Sequence, residues 1–410
     1  MESIFDEADT EGLQNELSNF VNALQTLSQT PTSSDISLVA RTAAQKVTQI
    51  LNVYSQQVDE VREQQIFDLT NVVINNDFNS KVKSIADLNQ QIREEQTYGN
   101  MPNELLDKRN TLIDELSSVA SIKVSVTPEK ISEDISIERL TISLYDSDTG
   151  TSIGLVDNGL YNTLSVNNTS ETLKIELISS FYAHDAADIT DHFSDGSIKG
   201  YIDIINGKGT YFNTALSEND FRGTLYYKSA IDTFAENFAK VFNDLNTTDP
   251  ANPKPLFAAS SGSTITAGMI RISDQWLADS SYITTTTSTA NGGDNVLRMI
   301  SAMSAGTSFY KDSSDTSSDI VFVGTFGEYI SGLIGELSLD VELYQNFSDT
   351  STGVLSNLYA SREAISGVSL DEEGINLMAY QKSYNAAARY FTALDEAVDT
   401  IINKMGLVGR

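Results

Sequence analysis

A long stretch without helix-breaking residues constrains this chain most. Residues 36–96 contain neither proline nor glycine, the two residues that interrupt helices most strongly. Apolar residues recur in this stretch at alternating steps of four and three, the spacing of a narrow coiled-coil seam. The seam consists of Val47, Leu51, Tyr54, Val58 and Val61. The sequence therefore predicts one very long helix that packs along a narrow stripe.

Helical periodicity continues in other parts of the chain. A Gly-Asn-Met-Pro break at residues 99–102 ends the long helix, and a further helix is predicted directly after it. Residues 229–245 again carry apolar side chains at helical spacing. From residue 324 to the end the chain is predicted to be mostly helical, with one interruption at residues 365–368.

The middle of the chain has the two-residue period of strands. Residues 122–127 alternate between apolar and polar side chains, and residues 140–144 and 173–177 do the same. Asp-Thr-Gly and Asp-Asn-Gly turn signals separate these runs at residues 148–150 and 157–159. We expect a small antiparallel domain of roughly 100 residues here.

These patterns predict an α+β fold, namely an elongated helical bundle or rod with an inserted β-rich domain and a C-terminal coiled-coil-like helix. The predicted helical core has a first part at residues 1–122 and a second part, which includes loops, at residues 227–364. The β-rich outer domain is expected at residues 123–226. Residues 365–410 are predicted to form an assembly helix.

The last helix is the most informative element for function. Its apolar residues follow an unbroken spacing of three and four over more than three heptads. They are Leu377, Tyr380, Tyr384, Ala387, Phe391, Leu394, Val398, Ile401 and Met405. Residues 366–410 hold four basic and six acidic residues, a net charge of −2, so little repulsion opposes packing against another helix. Such a stripe can dock on its own domain or pair with a helix of another subunit, and its terminal position and narrow width favour the second interpretation.

Composition limits the classes of function. The formal net charge is 26 − 57 = −31, which argues against a general nucleic-acid binder and against adsorption on anionic membranes. The chain has no cysteine, which excludes disulfides, a thiolate nucleophile and cysteine-ligated metal centres. The first seven residues lack the pattern of a cleavable signal peptide, so any export would use another route. No apolar run approaches the ~20 residues that span a bilayer.

The sequence contains few of the residue patterns that catalytic and metal sites require. If residues 182–192 were helical, His184, Asp188 and His192 would share one face that could bind a divalent metal. No His-Glu-x-x-His motif or Gly-x-Ser-x-Gly elbow is present, so a polar surface segment is favoured. We predict no catalytic residue, no metal site and no cofactor.

Three further motifs are interpreted as structural. The Asp-Ser-Asp-Thr-Gly run at residues 146–150 departs from a calcium loop and is predicted to be a turn capped by aspartate. Residues 206–209 lack the features of a phosphate-binding loop and are predicted to form a hairpin turn. Trp276 is predicted to pack in a core, and Ser369 is predicted to cap the last helix ahead of Asp371, Glu372 and Glu373.

Several segments resemble the family of bacterial flagellar hook-associated protein 1. Residues 20–27 (FVNALQTL), followed by Pro31 and Arg41, are similar to its early helices. Residues 102–109 (PNELLDKR) match a motif that points narrowly to this family, and residues 265–276 resemble a later core stretch. The strongest similarity covers residues 365–373, 380–389 and 399–406. Together the segments span about 60% of the chain in the family's order.

The resemblance implies a structural function without catalysis. Members of the family form a ring at the junction between the flagellar hook and the filament, with helical domains inside and β-rich domains outside. The implied partners are further copies of the chain, the hook protein, the second hook–filament junction protein and a cytoplasmic export chaperone. The implied location is the extracellular flagellum, reached unfolded through the export channel without a cleaved signal peptide. Another axial flagellar protein, or an enzyme centred on His184 and His192, remains an alternative.

The chain departs from the family at its beginning. Members start with a further helical stretch that pairs with the C-terminal helix, whereas this sequence begins after that stretch, near Ile4. We therefore expect the N-terminal helical segment to be missing, through truncation or in a naturally short form. The C-terminal helix would then lack its usual partner and be loosely held.

Overall fold

Helices dominate the fold, and every sheet is antiparallel. The computed structural model describes residues 12–132, 136–179, 186–209, 220–287, 292–311, 319–367 and 369–404. The chain divides into a first unit, Met1–Leu337, and a second unit, Ser338–Arg410. Helices together with small antiparallel sheets confirm the prediction of an α+β chain that ends in a long helix.

The described elements have the following bounds. The helices are α1 (Leu13–Gln29), α2 (Ser34–Asp68), α3 (Ser80–Thr97), α4 (Asn103–Val119), α5 (Gly196–Asn206), α6 (Thr224–Asn246), α7 (Asp274–Ala278), α8 (Asp294–Ser304), α9 (Phe326–Ser366) and α10 (Leu370–Asp399). The strands are β1 (Ile122–Lys130), β2 (Ser136–Tyr145), β3 (Ser152–Asp157), β4 (Leu160–Tyr161), β5 (Thr163–Asn167), β6 (Lys174–Ile178), β7 (Ala187–Asp188), β8 (Phe257–Ala259), β9 (Ile270–Ile272), β10 (Thr307–Tyr310) and β11 (Ile320–Gly324).

The long helix predicted over residues 36–96 is confirmed, with one difference in its winding. Helix α2 continues through a π-helix at Leu69–Asn79 into α3 without a non-helical residue between them. Leu69, Val73 and Phe78 are buried, and they lie four and five residues apart. A π-helical turn contains more residues than an α-helical turn, so these three residues stay on one face. In an ordinary α-helix they would point in different directions around the helix axis.

The first unit contains two hydrophobic cores that share this long helix. The first core combines α1, the first part of α2, α6 and apolar residues from Leu256 to Leu337. The second core combines the end of α2, the π-helix, α3, α4, α5 and the strands from β2 to β6. The β-rich region thus packs directly on α3 and α4, and the predicted domain boundaries at residues 122 and 226 remain predictions.

In the described ranges, four small sheets connect to these cores. The largest has the strand order β1-β2-β3-β4, with Ile122 opposite Leu144 at one end of the first pair and Lys130 opposite Ser136 at the other. The second sheet has the order β5-β6-β7, and β8-β9 and β10-β11 form two-stranded sheets. The strands predicted at residues 122–127 and 140–144 lie within β1 and β2.

Aromatic side chains fill the first core. The ring of Phe238 lies 4.8 Å from that of Phe242, 5.1 Å from Phe257 and 5.5 Å from Phe326, measured between centroids. Trp276 is fully buried and meets Phe257 edge-on at 5.9 Å. Its predicted role as a packing residue is confirmed.

The predicted hairpin turn at residues 206–209 is wrong. Asn206 is the last residue of α5, and Gly207 follows it directly. A Cβ atom on Gly207 would lie 2.4 Å from the carbonyl oxygen of Phe221 and 2.5 Å from that of Asp203. The glycine therefore serves a close approach of two backbone segments rather than the turn of a hairpin.

Arg109, the last residue of the PNELLDKR motif, links three elements of the second core. Its side chain is buried, with Nη1 donating to Oδ1 of Asn89 at 3.2 Å and Nη2 donating to Oε2 of Glu138 at 3.2 Å. Asn89 in turn donates from Nδ2 to the carbonyl oxygen of Asn158 at 2.9 Å. One guanidinium thus joins α4 to α3 and β2, and through Asn89 to the β3–β4 turn.

Replacing this arginine with alanine is expected to destabilise the second core. Arg109→Ala leaves the buried amide of Asn89 with an unpaired acceptor and Glu138 without its cation, a loss of about 2 kcal/mol. Urea denaturation followed by circular dichroism measures this loss. The control is Arg139→Ala on β2, the strand that carries Glu138. It removes an exposed ion pair with Asp157 and should lower the free energy of unfolding far less. Equal losses in the two variants would contradict a special role for Arg109.

The second unit contains the end of α9 and all of α10. Gly367 follows α9, and Ser369 precedes α10, where its side chain accepts a hydrogen bond from the backbone N–H of Glu372 at 3.3 Å. Asp371, Glu372 and Glu373 occupy the first turn of α10. The predicted cap and the favourable charges at the helix start are confirmed.

Candidate functional site

The candidate site is the apolar face of the C-terminal helix. Seven of its predicted residues lie on α10 and Ile401 lies in the π-helical turn Thr400–Lys404, while Met405 lies outside the described residues. We call the described residues the α10 stripe. They are Leu377, Tyr380, Tyr384, Ala387, Phe391, Leu394, Val398 and Ile401. None of them is charged, so the charged residues of α10 all lie off the stripe.

The α10 stripe is exposed along its whole length. Tyr380 and Tyr384 are each 75% exposed, and Phe391 is 68% exposed. No residue of α10 is buried. A continuous exposed row of large apolar side chains is uncommon on a soluble chain and marks a surface that another helix can cover.

Because α10 has no buried residue, we expect its amides to exchange quickly in the isolated chain. Helices gain most of their stability from packing, and a helix without buried contacts opens locally at low free energy. Hydrogen exchange measured on the monomer should find residues 377–401 far less protected than the buried part of α6. Strong protection throughout residues 377–401 would contradict this expectation.

The helical alternative that would place His184, Asp188 and His192 on one face is not formed over the described residues. Asp188 lies in strand β7, and His192 lies in a 3₁₀ turn at Thr190–His192, so these two residues do not share a helix. The Asp188 carboxylate accepts hydrogen bonds from the Thr190 backbone N–H at 3.1 Å and its hydroxyl at 2.6 Å, which bends the chain here. It also pairs with Lys174 at 2.9 Å. His184 lies outside the described residues.

His192 instead lies near the turn at residues 146–150. Its Nδ1 is 3.6 Å from Oδ2 of Asp146, whose carboxylate accepts hydrogen bonds from the Asp148 backbone N–H and the Thr149 hydroxyl. These hydrogen bonds, the one from Thr149 first, lower the pKa of the Asp146 carboxyl. The prediction of a turn capped by aspartate is confirmed.

Two surface clefts of the first unit lack a catalytic constellation. A groove of about 700 Å³ lies between α1, α8 and α9, and among the described residues that line it only Glu328 is titratable. A cleft of about 600 Å³ beside α5 is lined by Lys174, Lys199 and Lys208, each of which pairs with a carboxylate. Among the described residues, no group of three or more His, Asp or Glu side chains could hold a metal ion.

One carboxyl group beside the first core has an unusual pKa that the sequence did not indicate. Asp232 of α6 is half-buried and accepts a hydrogen bond from the Ala267 backbone N–H at 2.8 Å. Burial raises the pKa of Asp232 to about 6, with smaller contributions from Asp59 and Glu236. The hydrogen bond from Ala267 and the charge of Lys228 oppose the rise.

Comparison with known proteins identifies the family. Residues 1–250 match the family model of the flagellar hook-associated protein FlgK helical domain. The chain belongs to the FlgK family. Residues 362–404, which include the described α10 stripe, match the family model of the flagellar basal body rod FlgEFG protein C-terminal region. The predicted family and its structural, flagellar character are therefore confirmed.

Individual relatives agree with the FlgK family. Over its whole length the chain is 29% identical to flagellar hook-associated protein 1 of Bacillus subtilis, and it covers 80% of that protein. It is 30% identical to flagellar hook-associated protein 1 of Salmonella typhimurium over 19% of this chain and 14% of that one. A solved structure of the flagellar hook junction protein FlgK from Burkholderia pseudomallei aligns with 60% of this chain and 41% of its own, at a TM-score of 0.46 and 21% identity.

No helix in the described ranges is both long and apolar enough to cross a membrane.

Proposed function

We propose that this chain is a structural subunit of the junction between the flagellar hook and the filament, and that the α10 stripe joins it to neighbouring subunits. The observation that carries the proposal is the exposure of this stripe within the segment matched by the rod-protein family model. Relatives named as hook-associated proteins support the location. The chain acts by assembly rather than by catalysis.

Burial of the stripe supplies the free energy of assembly. Each large apolar side chain that becomes fully buried contributes ~1.5–3 kcal/mol. Helices of neighbouring subunits with similar narrow stripes would cover it through coiled-coil packing. A head-to-tail contact that closes by rotation would then produce a ring.

The proposal includes the partners and the location. The subunit contacts further copies of itself, the hook protein and the second junction protein, and a cytoplasmic chaperone escorts it to the export apparatus. It reaches the extracellular flagellum without a cleaved signal peptide. Residues 1–122 and 227–364 would form its helical core, residues 123–226 the outer domain, and residues 365–410 the assembly helix.

Deleting the gene that encodes this chain tests the proposal. Electron microscopy should show hooks without filaments, while flagellin leaks into the culture medium. Immunogold labelling of the intact flagellum should place the chain at the end of the hook. Filaments of normal frequency in the deletion strain, or label along the filament, would contradict the proposal.

A further inference from the structure

Among the described residues, no strand pairs with the outer edge of β1, and this edge is long and regular. Strand β1 lies at one end of the sheet β1-β2-β3-β4 and pairs with β2 in register over its nine residues. Soluble proteins usually cover or shorten such an edge, because its free backbone groups bind other strands.

The ladder to β2 fixes which residues face the free edge. The backbone N–H of Tyr145 donates to the carbonyl oxygen of Ser121 at 2.9 Å, so residues 121, 123, 125 and 127 direct their backbone groups toward β2. The alternate residues, Ile122, Val124 and Val126, direct theirs outward. Pro128 also occupies an outward-directed position, so its missing backbone N–H removes no hydrogen bond to β2.

The outward-directed residues also carry exposed apolar side chains. Val124 lies opposite Ile142 and is 38% exposed, whereas Ile142 is fully buried. Val126 lies opposite Leu140 and is 47% exposed, whereas Leu140 is buried. The apolar row of the second core therefore continues onto β1, beyond the elements that cover it.

The same strand carries two lysines, Lys123 near its beginning and Lys130 at its end. In the described ranges no carboxylate pairs with Lys123 or Lys130, and the ammonium of Lys123 lies 5.8 Å from the centre of the Tyr145 ring. Lys174, Lys208 and Lys228 each pair with a carboxylate within 3.0 Å. In a chain with a net charge of −31, unpaired cations on an unpaired strand point to an acidic partner.

We propose that β1 binds an extended acidic segment of a partner protein, which adds to the sheet as a further strand beside β1. Main-chain hydrogen bonds from Val124 and Val126 would bind the segment, and its apolar side chains would cover the exposed valines. Its carboxylates would pair with Lys123, whose side chain lies on the face opposite the valines, and Lys130 at the end of the strand would add positive charge nearby. An identical copy is a poorer occupant, because it would bring two cationic edges together. This surface is independent of the α10 stripe.

Binding of synthetic peptides to the full chain tests the proposal. The probe is a labelled peptide of alternating valine and glutamate, and its control alternates valine and lysine. Fluorescence anisotropy should show saturable binding of the acidic peptide alone, weakening as salt is added. Hydrogen exchange should show that the Val124 and Val126 amides gain protection on binding. Equal binding of both peptides, or unchanged exchange at these two amides, would overturn the proposal.

Variants locate the contact on the edge. Val124→Pro removes an outward N–H without removing a hydrogen bond to β2, and should weaken binding by about tenfold. Val124→Ala keeps that N–H and should weaken binding less. The double variant Lys123→Gln, Lys130→Gln leaves the backbone unchanged and should remove the salt dependence of peptide binding. This variant tests the proposal even if the proline variant folds poorly. Self-association of the chain that Val124→Pro abolishes would assign the edge to a second copy and overturn the acidic partner.

Discussion

Replacing Phe391 and Leu394 together with aspartate is expected to abolish assembly while the first unit stays folded. Both side chains lie on the α10 stripe and are exposed in the isolated chain, so the charges cost little before assembly. In a covered stripe the two carboxylates would lose their hydration without gaining a partner, a penalty of several kcal/mol each. This penalty exceeds what the apolar side chains contribute when they are buried.

The measurement compares cells that carry the variant with cells that carry a matched control. Ala386→Asp with Ala393→Asp adds the same charge to the same helix, but these residues lie off the stripe. Cells with the control should form filaments, whereas cells with Phe391→Asp and Leu394→Asp should have bare hooks. Fluorescence of the single Trp276, buried in the first core, should be unchanged in both purified variants. Filaments at normal frequency in the first variant would refute the stripe as the subunit interface.

Local patterns predicted the helices well, because spacing and capping act within a few residues. The absence of proline and glycine predicted the long helix, and Ser369 followed by three acidic residues predicted the start of α10. The π-helix at Leu69–Asn79 was not predicted, since its winding depends on which residues the second core buries. The α10 stripe has the same limit as a local pattern. Its spacing indicates that another helix can pack against it, but does not identify that helix.

Hydrogen bonds made by individual side chains were not visible in the local sequence pattern. The helical alternative for residues 182–192 fails at its described end, because the backbone N–H and the hydroxyl of Thr190 donate hydrogen bonds back to Asp188. The pairing of Asn243 with the backbone N–H groups of Leu256 and Phe257 was equally hidden, because it joins segments more than ten residues apart. Arg109 could be singled out only as part of a family motif, and its burial became visible with the fold.

Asp232→Asn is expected to change the pH dependence of stability in the first core. The pKa of Asp232 is about 6 in the folded chain and about 3.9 in an unfolded one, so the folded state binds more protons between these values. Stability contributed by this group is therefore full below pH 4 and is lost as the pH rises through 6. Asparagine keeps the acceptor for the Ala267 N–H and cannot ionise. At pH 7 the variant should be more stable by up to about 3 kcal/mol, and at pH 4 the two chains should be similar.

Urea denaturation at a series of pH values measures this difference, followed by the fluorescence of Trp276, which lies in the same core as Ala267, the hydrogen-bond partner of Asp232. Asp249→Asn is the control, because hydrogen bonds from Asn252 and the Ala251 N–H lower the pKa of that exposed carboxyl. A carboxyl whose pKa is lowered by folding stabilises the folded chain at pH values above its pKa in the unfolded chain. Asp249→Asn should therefore be less stable than the wild type at pH 7, and this difference should shrink as the pH falls. The two variants must therefore shift the profile in opposite directions. Parallel profiles for the wild type and Asp232→Asn would mean that this carboxyl is ionised as easily in the fold as in water.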